Sequence, residues 1–186
     1  MDFRAFSKIA RLSRDMIVTE KIDGTNGVIA IGDNGEFQIG SRNRWLTDEA
    51  GNITGDNMGF AAWAVKNRDS LMALGVGFHY GEWWGSGIQR GYGLQKGEKR
   101  VSLFNVSRWS DDSVRPACCN VVPTLYTGLF STTKIDEILL DLVTNGSQAA
   151  QGFMRPEGVV IFHTAGGYLF KKTIERDEYH KGESGV

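Results

Sequence analysis

Lys21 stands in the run Thr19-Glu20-Lys21-Ile22-Asp23-Gly24-Thr25-Asn26, between the strand-like segments Met16-Ile17-Val18 and Val28-Ile29-Ala30-Ile31. A lysine held at a strand end, beside two acids and a tight turn, is placed to act as a nucleophile. It does so only when its amine is neutral, and burial or neighbouring cations depress an amine's pKa far enough for that. A strand end followed by a charged turn is the plainer reading, and the rest of the chain must decide. Glu82, Glu157, Lys171 and Lys172 also lie within or at the ends of apolar runs. Bare charge in a strand is expensive unless a partner compensates, so these residues together point to a shared polar cleft. Glu82 is the strongest case, with Tyr80 and Trp84 on its strand face and Gly81 leaving close access on the other. Lysines and carboxylates in one cleft suit phosphoryl chemistry. The cations balance charge on transferring oxygens, and the carboxylates hold a divalent metal that does likewise. This much implies a nucleotide or polyphosphate substrate and leaves the acceptor open.

The elements that must position these groups are mostly strands. Val28–Ile31 and Glu36–Ile39 flank Gly32-Asp33-Asn34-Gly35, and Asn34-Gly35 predicts a hairpin with a type I′ turn. Ser41-Arg42-Asn43-Arg44-Trp45 follows as a basic segment ending in an aromatic residue. The pattern of Phe60, Trp63, Ala64, Leu71 and Leu74 predicts one helix over 58–74, capped by Asp56 or Asn57 and stopped by Gly75 and Gly77. Strands are expected at 78–84 and 101–106, and an extended edge or connector at 121–126. A second helix over about 134–144 has Thr133 as its expected cap and Asn145-Gly146 as its stop. A last hairpin pairs 157–162 with 167–172. Residues 1–15 read as a short helix or an irregular lead-in, and the end of the chain as a charged, disordered tail. Many antiparallel strand signals with two separated helices indicate an α+β domain, its sheets around a cleft and its helices outside.

The totals agree with one domain. The chain has 186 residues, 41% of them hydrophobic, enough for a real core. With 21 basic and 22 acidic residues there is no bulk charge for sequence-independent nucleic-acid binding, although a local basic groove is compatible with that total. The only cysteines, Cys118 and Cys119, are adjacent and read as reduced thiols of an intracellular protein, with no Cys/His cluster for zinc. No apolar run is long enough for a signal peptide or a membrane span, so a cytoplasmic protein without membrane partners is expected. Neither a P-loop nor a regular βαβ alternation is present. Met1 favours a whole gene product over an excised domain.

The order of these segments resembles the covalent nucleotidyltransferase superfamily of DNA ligases, RNA ligases and mRNA-capping enzymes. Glu20-Lys21-Ile22-Asp23-Gly24 is similar to its K-x-D-G nucleotidyl-acceptor motif, and Ser41-Arg42 to the S-R segment that follows. Tyr80-Gly81-Glu82 resembles the motif with a ribose-contacting glutamate, and Ser102-Leu103-Phe104-Asn105-Val106 the aromatic strand beside the base. Arg155-Pro156-Glu157-Gly158-Val159-Val160 resembles the E-G-[VI] motif, and Leu169-Phe170-Lys171-Lys172-Thr173 the closing lysine motif. Within the superfamily the chain looks most like the ATP-dependent RNA ligase branch of the phage RNA ligase 2 group and the kinetoplastid editing ligases.

The resemblance implies an ATP-grasp-like adenylation core, with antiparallel sheets flanking a nucleotide cleft and outer helices, over residues 1–174. It leaves 175–186 as a charged tail, with no OB or helical domain after the core. It implies that Lys21 takes AMP from ATP, passes it to an RNA 5′-phosphate, and that a 3′-hydroxyl displaces it. The nucleotide-binding residues would be Glu20, Lys21, Asn26, Arg42, Glu82, Phe104 and Lys171. Among them Glu20 would read adenine, Glu82 the ribose, and Phe104 would stack on the base. Glu157 would engage Mg²⁺ or Mn²⁺, and Lys171 and Lys172 would join Lys21 and Glu157 in catalysis. Two departures matter: the closing motif has Lys171-Lys172-Thr173 where many relatives have K-x-K, and Asn105 stands where relatives often have an acid. The implied partner is RNA with 5′-phosphate and 3′-hydroxyl ends, nicked duplexes included, together with a protein that replaces the absent domain. Nicked DNA is the alternative substrate, and a partner-dependent or inactive nucleotide- or RNA-binding relic the alternative from another class.

Overall fold

Two sheets face each other across a cleft in the computed structural model, which describes residues 1–175 and 177. The expected charged tail falls largely on 176 and 178–186, outside the described residues. In chain order the elements are β1 (Asp15–Lys21), β2 (Thr25–Ile31), β3 (Phe37–Ser41), α1 (Phe60–Lys66), α2 (Arg68–Leu71), β4 (Gly77–Gly85), β5 (Lys99–Leu103), α3 (Val106–Trp109), β6 (Asn120–Val121), β7 (Thr124–Leu129), α4 (Thr132–Asn145), β8 (Gly158–His163) and β9 (Tyr168–Thr173). One sheet has the order β7-β1-β8-β9, the other β3-β2-β4-β5-β6. All pairings are antiparallel except β5 with β6. The α+β class and the cleft between sheets agree with the sequence reading.

The strand period divides each sheet into two faces. In the five-stranded sheet Ile29, Ile31, Phe37, Ile39, Trp83, Val101 and Leu103 point outward into a core with α1, α2 and Trp109. In the four-stranded sheet Met16, Val18, Val159 and Ile161 pack on Ile135 and Leu142 of α4. A third cluster of Ile22, Trp84, Tyr92, Val122 and Ala150 joins the two sheets at one end of the cleft.

Local chemistry corrects several boundaries. The helix expected over 58–74 breaks at Asn67, whose φ of −99° and ψ of 13° leave the helical range, and a 3₁₀ turn completes the segment at Met72–Leu74. Asp56 accepts the Gly59 amide at 2.8 Å, while Asn57 turns inward and donates to the Asn26 carbonyl at 3.1 Å. The cap of α4 is Ser131, which accepts the Lys134 amide at 3.2 Å, and not Thr133. Gly146, at φ 84°, ends α4 as expected. The β2–β3 hairpin forms, but Gly35 alone in its loop has positive φ (79°). The Gly32 amide bonds the Glu36 carbonyl at 2.9 Å and the Gly35 amide bonds the Gly32 carbonyl at 3.0 Å, so Asp33-Asn34-Gly35 forms a three-residue bulged loop in place of a type I′ turn. The segment expected as a strand to 106 stops at Leu103 and turns into α3. Residues 1–11 have no regular structure, and Cys118 and Cys119 are free thiols. Among the described residues no helix is long and apolar enough to cross a membrane.

Candidate active site

A cavity of about 690 Å³ opens between the sheets, in the size range of small-ligand sites. Lys21, Asn26, Arg42, Glu82, Phe104 and Lys171, which the sequence places far apart, all line it. Lys21 ends β1, and its ammonium donates to Glu157 Oε2 at 2.7 Å. The register explains the meeting: Gly158 lies opposite Lys21, so the residue before β8 arrives beside the amine. Gly158 must be glycine, because a Cβ there would lie 2.2 Å from the Lys172 carbonyl oxygen, and its φ is +152°. The side chains of Lys21 and Glu157 are 25% and 18% exposed, so the pair is reachable from the cleft.

Glu82 rises from β4 opposite Asn26 of β2. Its Oε2 accepts Asn26 Nδ2 at 2.9 Å and its Oε1 accepts the Gly24 amide at 3.1 Å. Burial pushes the carboxyl up to about 7, with the nearby Lys21 ammonium partly opposing that shift. It is thus a buried carboxyl that exchanges its proton near neutral pH and stands within the turn that carries Lys21. Gly24 permits this closeness, since a Cβ there would lie 2.5 Å from the Trp83 carbonyl oxygen.

Arg42 follows β3 directly and is exposed at the rim. Phe104 sits opposite Tyr80, donating its amide to the Tyr80 carbonyl at 2.9 Å, and is 41% exposed. Asn105, in the position noted as lacking an acid, caps α3 by accepting the Arg108 amide at 3.2 Å. Lys171 lies opposite Val160 on the cleft face of β9. Thr173 shares that face by strand period, and its hydroxyl donates to the Glu175 carbonyl at 2.9 Å.

Of the other expected site residues, Lys172 lies away from the cavity, and Glu20 lines it but turns its carboxylate out of it. Lys172 alternates to the opposite face of β9 and pairs with Asp136 of α4. The Glu20 carboxylate turns to the loop after α4. It accepts the Ser147 hydroxyl at 2.5 Å and the Gln148 and Ala149 amides at 2.8 and 2.9 Å. Burial raises its pKa while these three donors pull it down. That carboxylate secures the loop after α4 and is not free to read a base.

The sequence reading also missed residues. Arg90 Nε pairs with Asp23 Oδ2 at 3.0 Å and its guanidinium donates to the Arg155 carbonyl at 3.1 Å. The Asp23 amide donates to Tyr92 Oη at 2.8 Å. Together these tie the Lys21 turn to the segment that carries Glu157. Nothing local in the sequence marks them. The apolar wall of Ile17, Val160, Phe162 and Leu169 was legible in principle, because it is the alternate set to the core residues of the same strands.

Among the described residues no group of three or more His, Cys, Asp or Glu forms a ready metal cage. One partly buried carboxylate beside the cavity lysine still fits Mg²⁺ or Mn²⁺, because such ions are commonly held by one or two carboxylates, substrate phosphates and water. Glu157 is the residue in that position.

A lysine in a cleft between two sheets, beside a buried glutamate, a second lysine and a half-exposed aromatic ring, is the arrangement that the resemblance to covalent nucleotidyltransferases implies. Residues 14–173 match the RNA ligase family model, and the chain belongs to that family. Among solved structures it is similar to a Naegleria gruberi RNA ligase variant with AMP and Mn, at 21% identity and a TM-score of 0.62 over 87% of this chain and 50% of that one. A second variant of the same ligase, with ATP and Mn, gives 20% identity and a TM-score of 0.63 over 88% and 51%. The chain thus spans about half the length of the solved structures it matches. Comparison with curated proteins gives no match.

Proposed function

We propose that this protein is an ATP-dependent RNA ligase, and that Lys21 is its nucleotidyl acceptor. The observation that carries the reading is that Lys21, which lines the cavity together with Glu82 and Lys171, meets Glu157 at 2.7 Å. Lys21 Nζ attacks the α-phosphorus of ATP, a P–N bond forms, and pyrophosphate leaves. An RNA 5′-phosphate oxygen then displaces the lysine to give an adenylylated end, and a 3′-hydroxyl attacks that end and releases AMP. Splitting the displacement through a covalent adduct replaces one hard step with easier ones. Lys171 supplies positive charge to the α-phosphate in the AMP transfers, Glu82 accepts from the ribose hydroxyls, and Phe104 offers a stacking face to adenine. A divalent ion held by Glu157 would supply charge neutralisation to the phosphates.

The form Arg155-Pro156-Glu157-Gly158-Val159-Val160 supports the branch of the phage RNA ligase 2 group and the kinetoplastid editing ligases. In this reading residues 1–174 are the adenylation unit of a cytoplasmic enzyme, and 175–186 a charged tail. The test is incubation with ATP or GTP radiolabelled at the α-phosphate, with Mg²⁺ or Mn²⁺, followed by denaturing electrophoresis beside Lys21→Ala. Label from ATP that is lost in Lys21→Ala is expected. Label from GTP alone would redirect the reading to capping chemistry, and no label from either would overturn it for this chain. Sealing of nicked RNA in preference to nicked DNA then checks the substrate.

A further inference from the structure

The cleft face of the five-stranded sheet continues beyond the cavity, and there it is aromatic where solvent contact would favour polar residues. Phe78 and Tyr80 alternate with the outward-facing His79 and follow the same strand face as Glu82. They are 60% and 53% exposed. Trp45, 44% exposed, folds back over Gly40, where a Cβ would lie 3.2 Å from the indole. The ring centroids of Trp45 and Phe78 are 6.2 Å apart, and those of Phe78 and Tyr80 6.4 Å apart at an interplanar angle of 16°. Tyr80 lies directly across from Phe104, which lines the cavity, so the strip is continuous with that wall. Beside it Arg42 and Arg44 are exposed and enter no ion pair among the described residues.

We propose that Trp45, Phe78 and Tyr80 form a stacking platform for the unpaired bases of the RNA end that enters the cavity, with Arg42 and Arg44 meeting its phosphates. The inference rests on the reading of the cavity as an RNA ligase site and adds how that substrate is held. Exposed rings in a row offer faces that every unpaired base can use and that a paired base hides, and flanking guanidiniums add backbone contact without sequence preference. The near-neutral net charge offers no bulk attraction for a strand, so local groups must hold it. The strip ends at the cavity wall, so a strand lying on it leads its terminal phosphate toward Lys21.

The test uses the full chain and a short single-stranded RNA with a 5′-phosphate and 2-aminopurine near that end, whose fluorescence is quenched by stacking. Phe78→Ala with Tyr80→Ala is expected to weaken binding by about tenfold or more and to abolish the quenching. It should leave the circular dichroism spectrum and Lys21 labelling from ATP at wild-type levels, because both rings lie outside the cavity. Unchanged RNA affinity in that double variant would overturn the platform. So would equal loss on a blunt RNA duplex, or full recovery of binding by Phe78→Leu with Tyr80→Leu, which keeps apolar area and removes the rings. Absence of ATP labelling in the wild type, with quenching intact, would instead sink the ligase reading and leave the platform standing as an RNA-binding surface.

Discussion

The cleft face and the helix face of the four-stranded sheet are made from alternate residues of the same strands, yet they do different work. On β1, Ile17, Thr19 and Lys21 face the cavity, while Met16 and Val18 pack on α4 and the Glu20 carboxylate turns to the loop after it. On β9, Lys171 faces the cavity and Lys172 reaches Asp136. Two adjacent charges in each motif are therefore separated by one strand step. One of each pair can meet a substrate, and the other fastens the sheet to its helix. Neighbours in a strand motif are not neighbours in a site, because successive side chains point to opposite faces.

The largest expected contrast is between the two lysines of β9. Lys171→Ala should slow Lys21 labelling by about 10²–10³-fold, the usual loss when one charge-stabilising group leaves an active site. Lys172→Ala should stay within about twofold of wild type, as expected for a surface pair. Single-turnover labelling measures both, and equal losses would break the comparison.

The second contrast uses pH. Glu82 has its folded pKa raised from 4.5 to about 7, so between those values the folded protein binds more protons at this site than the unfolded chain. Its contribution to stability is complete below about pH 4.5 and is lost as pH rises through about 7, a change on the order of 3 kcal/mol. Glu82→Gln should remove that slope, which urea unfolding of both proteins across this pH range would show. Parallel pH curves would refute the assignment.

Glu20→Gln comes next. The amide oxygen can still accept both backbone N–H groups, but the NH₂ group then takes the place of the oxygen that accepts the Ser147 hydroxyl, at a cost of about 1–3 kcal/mol. The Michaelis constant for ATP should hold steady in the folded variant, and a large rise would return Glu20 to the nucleotide site. The smallest effect is the stability of Lys172→Ala, under about 1 kcal/mol for an exposed pair. Thermal unfolding would register it as a shift of at most a few degrees.

Much of this was legible in the sequence. Lys21, Glu82 and Glu157 announce themselves as charge inside apolar strands, and Asn145-Gly146 stops α4 as its chemistry requires. The direction of Glu20 was not legible, because its partners are Ser147, Gln148 and Ala149, whose arrival depends on the packing of α4. Lys172 was open to strand alternation from Lys171, and the motif's contiguity hid it. The clamp of Arg90 on Asp23 spans 67 residues and leaves no local trace. The break at Asn67 escaped because the hydrophobic pattern runs on across it.

The two sheets are joined at neighbouring points. The Ile22–Gly24 turn crosses from one to the other, Val122–Pro123 crosses back, and Ile22 and Val122 sit in the same apolar knot. The Glu20 amide bonds the Pro123 carbonyl at 2.9 Å, which ties the crossings together. They act as a pivot. Any opening of the cleft about this joint would displace the rims at β9 and β3 most and Lys21, one residue from it, least. A large substrate can thus be admitted by motion at the lips while the attacking nitrogen keeps its aim.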